Sequence, residues 1–129
     1  MTIAYWCLLF MIIFPYIFTT LAKAGPGFNN HNPREYLEQL KGWRKRAHWV
    51  QLNSFEGFPA FAIAILVAEL LHASQILINN LALSYVVARL LYAACYLADK
   101  AILRTLFWTI GFACVIGLYC SPLLTTHLY

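Results

Sequence analysis

The sequence predicts an all-α membrane domain, a bundle of four transmembrane helices, and two observations carry this prediction. Hydrophobic residues make up 62% of the 129 residues and charged residues only 11%, whereas soluble domains average about 45–50% apolar and about 25% charged residues. The apolar residues form four runs, 3–22, 50–71, 76–98 and 101–121. Each run reaches the roughly 20 residues that are needed to cross a bilayer. Residues 1–129 are therefore expected to form one integral membrane domain, with no second soluble domain.

The basic residues are confined mainly to two of the three connections between these runs. The first connection contains Lys23, Arg34, Lys41, Arg44, Lys45 and Arg46. Lys100 and Arg104 lie at the third connection. Because cytoplasmic loops are enriched in lysine and arginine, both basic connections are expected to face the cytoplasm and both termini the other side. Topology and contact with anionic lipid headgroups are the default interpretation of Lys41, Arg44 and Lys45, and nothing in the chain resembles a nucleic-acid-binding module.

The first run could be mistaken for a secretory signal peptide, since residues 22–24 (Ala-Lys-Ala) resemble a cleavage site. No basic residue precedes the run, and its apolar stretch is too long for a signal peptide, so a retained span is predicted. Pro15 predicts a kink within it. Residues 25–27 (Gly-Pro-Gly) then end the helix and begin a polar loop.

A short amphipathic helix is predicted between the first two spans. Asn32, Pro33 and Glu35 form a typical helix start, with a cap, a proline at the first position and an acid three residues after the cap. Apolar residues follow at helical spacing, namely Tyr36, Leu37, Leu40, Trp43 and Ala47. The helix is expected to lie along the cytoplasmic interface, with an interruption at Gly42.

The second span carries polar residues into the membrane. Arg46, Asn53 and Glu56 share one helix face because they are seven and three residues apart, which is two turns and about one turn of a helix. An ionisable side chain inside a span costs about 2.5 kcal/mol or more unless it has a partner, so Glu56 marks a functional site. A bend is expected near Gly57 and Pro59.

The third and fourth spans add a second polar set. A short turn joins spans two and three, so these helices should pack antiparallel. Arg89, Tyr92 and Tyr96 share a face of span three, and Arg104 and Thr105 lie near the start of span four. All five residues belong to the half of the membrane next to the cytoplasm.

Depth suggests which of these residues meet. At a rise of 1.5 Å per residue, Glu56 lies about 10 Å and Arg89 about 14 Å from the cytoplasmic ends of their spans. Since the two residues are at similar depths on neighbouring helices, an ion pair between them is predicted. A shallower polar ring is expected from Arg46, Tyr96, Arg104 and Thr105. The alternative interpretation is a polar network that only fixes helix packing, with Arg104 reaching lipid headgroups.

The four cysteines, Cys7, Cys95, Cys114 and Cys120, all fall within predicted spans and have no CxxC spacing. Neither a disulfide framework nor a metal site is expected. Packing among apolar residues is their default interpretation.

These residues resemble a known family, the membrane-associated proteins in eicosanoid and glutathione metabolism, which includes microsomal glutathione transferases and the five-lipoxygenase-activating protein. The resemblance extends from Asn32 to around Thr105, and the four-span plan matches throughout. Its most specific part is the arginine-rich start of span two, followed by Asn53, Glu56 and Pro59. The second part consists of Arg89, Tyr92, Tyr96, Arg104 and Thr105.

The resemblance implies that glutathione is a co-substrate, bound at the interface of a homotrimer that opens to the cytoplasm. The matching residues that would hold the tripeptide are Asn53, Glu56, Tyr92, Tyr96 and Arg104. Arg46, Arg89 and Thr105 complete the candidate set, and Thr105 occupies the place of a serine in prostaglandin E synthase. Arg104 would stabilise the thiolate electrostatically. The implied activity is glutathione conjugation or peroxide reduction on lipophilic substrates supplied by membrane lipid.

Two departures from the family pattern keep a second function open. Trp49 occupies the place where several of the enzymes have an arginine, and Gly57 the place of a tyrosine in leukotriene C synthase. The alignment before Arg104 also needs an insertion or deletion. A non-catalytic lipid-binding or scaffold member of the family is therefore the alternative. A small multidrug exporter ranks last, because such exporters use a carboxylate in the first span and this chain has none there.

Overall fold

The computed structural model of the protein describes residues 1–126. Five helices follow one another in this part of the chain: α1 (Ile3–Lys23), α2 (Pro33–Glu38), α3 (Trp43–Leu70), α4 (Gln75–Leu97) and α5 (Ala101–Thr126). All of them except α2 are long and apolar enough to cross a membrane. The predicted all-α bundle of four spanning helices is confirmed.

The bundle is built around α3 and α4. Helix α1 packs against both of them, and α5 packs against α4 and α3. The largest fully buried apolar side chains are Met11, Phe14, Phe61, Ile65, Ile78 and Leu118. Buried alanines on several helices, such as Ala64 and Ala82, allow the backbones to approach closely, which is how spanning helices usually pack. The outer surfaces of the four long helices are apolar and exposed, as contact with membrane lipid requires.

The last helix extends further than the sequence indicated. The fourth apolar run ends at residue 121, but α5 continues through Pro122 to Thr126. The Ser121 hydroxyl is buried and donates to the carbonyl of Leu118 at 2.7 Å. The side chain of Thr125 accepts a hydrogen bond from the backbone of Ser74 at 3.0 Å. This contact joins the end of α5 to the turn between α3 and α4, so the extra turn has a structural role.

The connection between α1 and α3 is only partly helical. Asn32 stands at the N-cap of α2 as predicted, although its side chain makes no capping hydrogen bond. The helix ends at Glu38, and Gly42 breaks the chain with a φ of +69°, which confirms the predicted interruption. Lys45 Nζ donates to the carbonyls of Leu37 and Glu38. The basic residues Arg44, Lys45 and Arg46 therefore lie in the first turn of α3, and Lys45 caps the C-terminal end of α2.

Two tight turns set the antiparallel packing of the last three helices. His72 between α3 and α4 and Asp99 between α4 and α5 both adopt a left-handed backbone, with φ of 58° and 59°. As a result the start of α3, the end of α4 and the start of α5 lie at the same end of the bundle. We call this end the basic end, because it carries Lys41, Arg44, Lys45, Arg46, Lys100 and Arg104.

Candidate functional site

Two adjoining pockets form a groove along α3, α4 and α5 near the basic end. The first, of about 320 Å³, is lined by Trp49, Leu52, Asn53, Glu56, Tyr92 and Tyr96. The second, of about 220 Å³, is lined by Tyr92, Tyr96, Arg104, Thr105 and Trp108. Because both pockets share the two tyrosines, they are treated as one surface, called the groove below. Six of the eight predicted site residues line the groove.

Helix α3 contributes an amide and a carboxylate to the groove. Asn53 and Glu56 are almost one turn apart, so their side chains lie on the same face. The Oδ1 atom of Asn53 is buried and has no hydrogen-bond partner within residues 1–126. The side chain of Glu56 is exposed, although its helix lies within a span. Neither group has a hydrogen-bond partner among the described residues.

Helix α4 contributes the rings of Tyr92 and Tyr96, which line both pockets. The rings of Tyr92 and Tyr96 meet edge to face with centres 5.6 Å apart. Tyr96 also packs against Trp49, with ring centres 6.2 Å apart. The aromatic contacts fix the orientation of both rings, so that the groove has an aromatic floor.

Helix α5 contributes a guanidinium at the edge of the groove. The central carbon of the Arg104 guanidinium lies 4.6 Å from the ring centre of Tyr96. Arg104 has no side-chain hydrogen bond or ion pair with any residue in the described range 1–126, so its N–H donors are available. The Thr105 hydroxyl donates to the carbonyl of Ala101 at 3.1 Å. That hydroxyl can still accept a hydrogen bond from a ligand.

The structure places Arg46 away from the groove. Its Nε and Nη2 atoms donate to the carbonyl of Leu97 at 3.3 and 3.2 Å. Leu97 is the last residue of α4, where helix carbonyls lack intrahelical partners. Arg46 therefore caps α4 and joins it to the start of α3. Residue spacing predicted its face but could not predict which acceptor it would find.

The predicted ion pair between Glu56 and Arg89 is wrong for this protomer. Arg89 donates through Nη2 to the hydroxyl of Ser54 at 3.2 Å, and no ion pair joins it to Glu56 within the described residues. Ser54 and Glu56 are two residues apart, which is about 200° around a helix of 3.6 residues per turn. Ser54 thus faces α4, and Glu56 points to the exposed side. Both residues line one cavity, but the guanidinium bonds to Ser54 instead of the carboxylate.

Behind the groove lies a cavity of about 210 Å³ between α3, α4 and α5. Asn53 and Glu56 border both spaces, and Trp108 also lines both. Arg89 lines the cavity, and its guanidinium carbon lies 4.3 Å from the ring centre of Tyr92. Arg89 is therefore a predicted site residue that the structure places behind the groove and not in it.

Sequence reasoning missed several residues around these spaces. Tyr85 precedes Arg89 by four residues and completes a face of α4 that continues to Tyr92 and Tyr96 at helical spacing. Trp108 follows Arg104 by four residues on α5 in the same way. Both could have been found by extending the faces already identified. Ser54 carried no sequence signal of its own, because serine is common in spanning helices.

Comparison with known proteins gives one finding. A model of the MAPEG family matches residues 2–124 of the chain. No curated protein and no solved structure gives a significant match.

Proposed function

Since the chain belongs to the MAPEG family, we propose that it is a glutathione-dependent transferase or peroxidase that acts on lipophilic substrates at the cytoplasmic side of a membrane. One observation carries the proposal. A single groove brings together the carboxylate of Glu56, the amide of Asn53, the phenols of Tyr92 and Tyr96, and the guanidinium of Arg104. Neither the amide oxygen of Asn53 nor the guanidinium of Arg104 has a hydrogen-bond partner in residues 1–126. These residue types are the ones through which the family resemblance implies glutathione binding.

The groove matches the chemistry of glutathione. The tripeptide carries two carboxylates, one ammonium group and a thiol, so it needs both an acidic and a basic partner. Glu56 would bind the ammonium group, and the free oxygen of Asn53 would accept an amide N–H. The tyrosine hydroxyls would donate to carboxylate or carbonyl oxygens. Arg104, at the opposite edge of the groove, would lie beside the sulfur.

Arg104 would contribute to catalysis by favouring the thiolate over the thiol, since the thiolate is the nucleophile. In conjugation, the sulfur electron pair forms a bond to an electrophilic carbon, and the leaving group departs with its own pair. In peroxide reduction, the sulfur attacks one peroxide oxygen and the oxygen–oxygen bond breaks. The products are an alcohol and a glutathione sulfenic acid, which a second glutathione converts into the disulfide and water.

The setting of the groove completes the proposal. It lies at the basic end, which the positive-inside rule assigns to the cytoplasm where glutathione is abundant. In that orientation both termini lie on the other side, and the bilayer supplies the apolar substrate. In intact cells, a membrane-impermeant maleimide should then label a Leu71→Cys variant and not a Lys41→Cys variant, in a background without other reactive cysteines. The opposite labelling would reverse the topology.

Arg104→Ala tests the role of the guanidinium directly. Glutathione is titrated into purified, detergent-solubilised protein, and the ultraviolet absorbance of the thiolate is followed against pH. The variant should raise the pKa of the bound thiol and reduce turnover, because the stabilising charge is gone. Lys100→Ala is the matched control, since Lys100 is an exposed cation close by that does not line the groove.

The outcomes of this titration separate the hypotheses. An unchanged titration in Arg104→Ala would remove Arg104 from the mechanism. No glutathione-dependent signal in the parent protein would favour the second candidate, a non-catalytic lipid-binding or scaffold member of the family. One observation supports that candidate. Trp49 lines the groove at the place where several family enzymes have an arginine, so the groove has one cation fewer.

A further inference from the structure

The cavity behind the groove has largely apolar walls and four polar side chains, Asn53 and Glu56 from α3 and Tyr85 and Arg89 from α4. Its apolar lining comes from α3 and α5 and consists of Ala60, Trp108, Gly111, Phe112 and Val115. On the α4 side, Tyr85 and Arg89 are one turn apart. A largely apolar pocket with a few converging polar groups is the usual form of a small-molecule site.

Arg89 brings a buried positive charge to this space. Only 3% of the residue is exposed, and its one hydrogen bond goes from Nη2 to Ser54. Its Nε atom is buried and has no partner within residues 1–126, and the described residues provide no carboxylate in an ion pair with it. A buried charge without a counter-charge is strongly unfavourable. The guanidinium therefore has no ion-paired carboxylate among the described residues, although Glu56 lines the same cavity.

Tyr85 offers a second donor from a fixed position. Its ring stacks on Phe61 with centres 3.9 Å apart and an interplanar angle of 14°. Gly57 makes room for the hydroxyl, because a Cβ atom there would lie 3.3 Å from the hydroxyl oxygen. The hydroxyl forms no hydrogen bond to any residue in the range 1–126. Phenol and guanidinium together can hold the two oxygens of one carboxylate.

We propose that the cavity binds a small aromatic carboxylate of about the size of phenylacetate, with its carboxylate at Arg89 and Tyr85. The size follows from the volume, since an apolar cavity of about 150 Å³ accommodates benzene and this one has about 210 Å³. An aromatic body is favoured because Trp108 and Phe112 stack nearly parallel, with an angle of 5°, in the wall.

Glu56 fixes the direction in which the ligand lies. Its carboxylate also lines the cavity, on the side that is shared with the groove, and repels an anion there. The carboxylate of the ligand is therefore placed at the α4 side and its ring among the apolar walls. This site does not depend on glutathione binding, although Trp108 borders both spaces and links them.

The test uses 4-fluorophenylacetate as the probe and ¹⁹F NMR of the solubilised full-length protein as the readout. The acid should show a saturable shift, and its methyl ester should show only partition into detergent micelles. Tyr85→Phe should weaken binding by roughly tenfold, the usual effect of losing a hydrogen bond to a charged group. Ala60→Leu should abolish it by filling the cavity. Ala94→Leu, on the exposed face of α4 and outside the cavity, is the matched control.

Arg89→Met should abolish saturable binding of the acid. If that variant does not fold, Tyr85→Phe and Ala60→Leu still decide the question. Unchanged binding in both of them, or equal binding of the ester, would overturn the proposal. A protein that binds the acid without any glutathione-dependent thiolate signal would overturn the proposed function alone. A thiolate signal without saturable binding of the acid would overturn this inference alone.

Discussion

Arg89 and Tyr85 show how single residues shape the interior of this bundle. Each is almost completely buried on α4, and each depends on a small residue of α3 for its place: Arg89 on the hydroxyl of Ser54, and Tyr85 on the missing side chain of Gly57. Glycine inside a helix normally costs about 0.5–1 kcal/mol relative to alanine. At Gly57 the absence of a side chain leaves room for the hydroxyl of Tyr85.

Gly57→Ala should therefore not give the stabilisation that this substitution usually brings. The new Cβ atom would lie 3.3 Å from the Tyr85 hydroxyl, which must shift by a few tenths of an ångström. Gly111→Ala is the control, because its Cβ atom would lie 3.7 Å from the same ring, an ordinary contact, and should stabilise by about 0.5–1 kcal/mol. The free energy of unfolding in a detergent titration measures both effects.

The hydroxyl can be tested by combining the substitutions. In a Tyr85→Phe background the close contact disappears, so Gly57→Ala should become as favourable as Gly111→Ala. The coupling between positions 57 and 85 is obtained from the double-mutant cycle. Equal effects of Gly57→Ala in both backgrounds would show that the hydroxyl does not limit this position.

At the scale of the helices, residue spacing predicted faces well and contacts poorly. The four spans followed from hydrophobic run length. Six of the eight candidate residues lie together: Asn53 and Glu56 are three residues apart, Tyr92 and Tyr96 four, and Arg104 and Thr105 are adjacent at the start of α5. Spacing within one helix carries no information about the rotation of the next helix. For this reason the sequence paired Arg89 with Glu56 at the correct depth, where the structure pairs it with Ser54. The same limit applies to Arg46, whose acceptor is a backbone carbonyl.

Arg46 is expected to stabilise the bundle without taking part in ligand binding. It donates two hydrogen bonds to the last carbonyl of α4. Arg46→Met keeps the apolar stem and removes the donors, so it should lower the free energy of unfolding by roughly 1.5–3 kcal/mol. Lys41→Met, at an exposed position of the same end, should change it little. The pKa of protein-bound glutathione should be the same in Arg46→Met and the parent protein. A raised thiol pKa would return Arg46 to the site.

At the scale of the whole molecule, the groove is open on the side of Glu56 and Leu52 in the single chain. Its carboxylate, Glu56, is exposed on a helix within a span, where contact with acyl chains would cost about 2.5 kcal/mol or more. Leu52, in the same wall, is 42% exposed. Both observations are explained if a second copy of the chain covers this side of the groove.

We predict that the protein is a homotrimer in which neighbouring protomers close the groove, as the family resemblance implies. In a mild detergent, the protein mass from light scattering or native mass spectrometry should be three times the protomer mass of 14.7 kDa. Glutathione should protect the assembly against dissociation by harsher detergents, because a ligand at the interface binds the trimer and not the monomer. Arg104→Ala supplies the control, since the trimer should persist while this protection weakens. A monomer or dimer that binds glutathione with a normal thiolate signal would show that one protomer completes the site by itself.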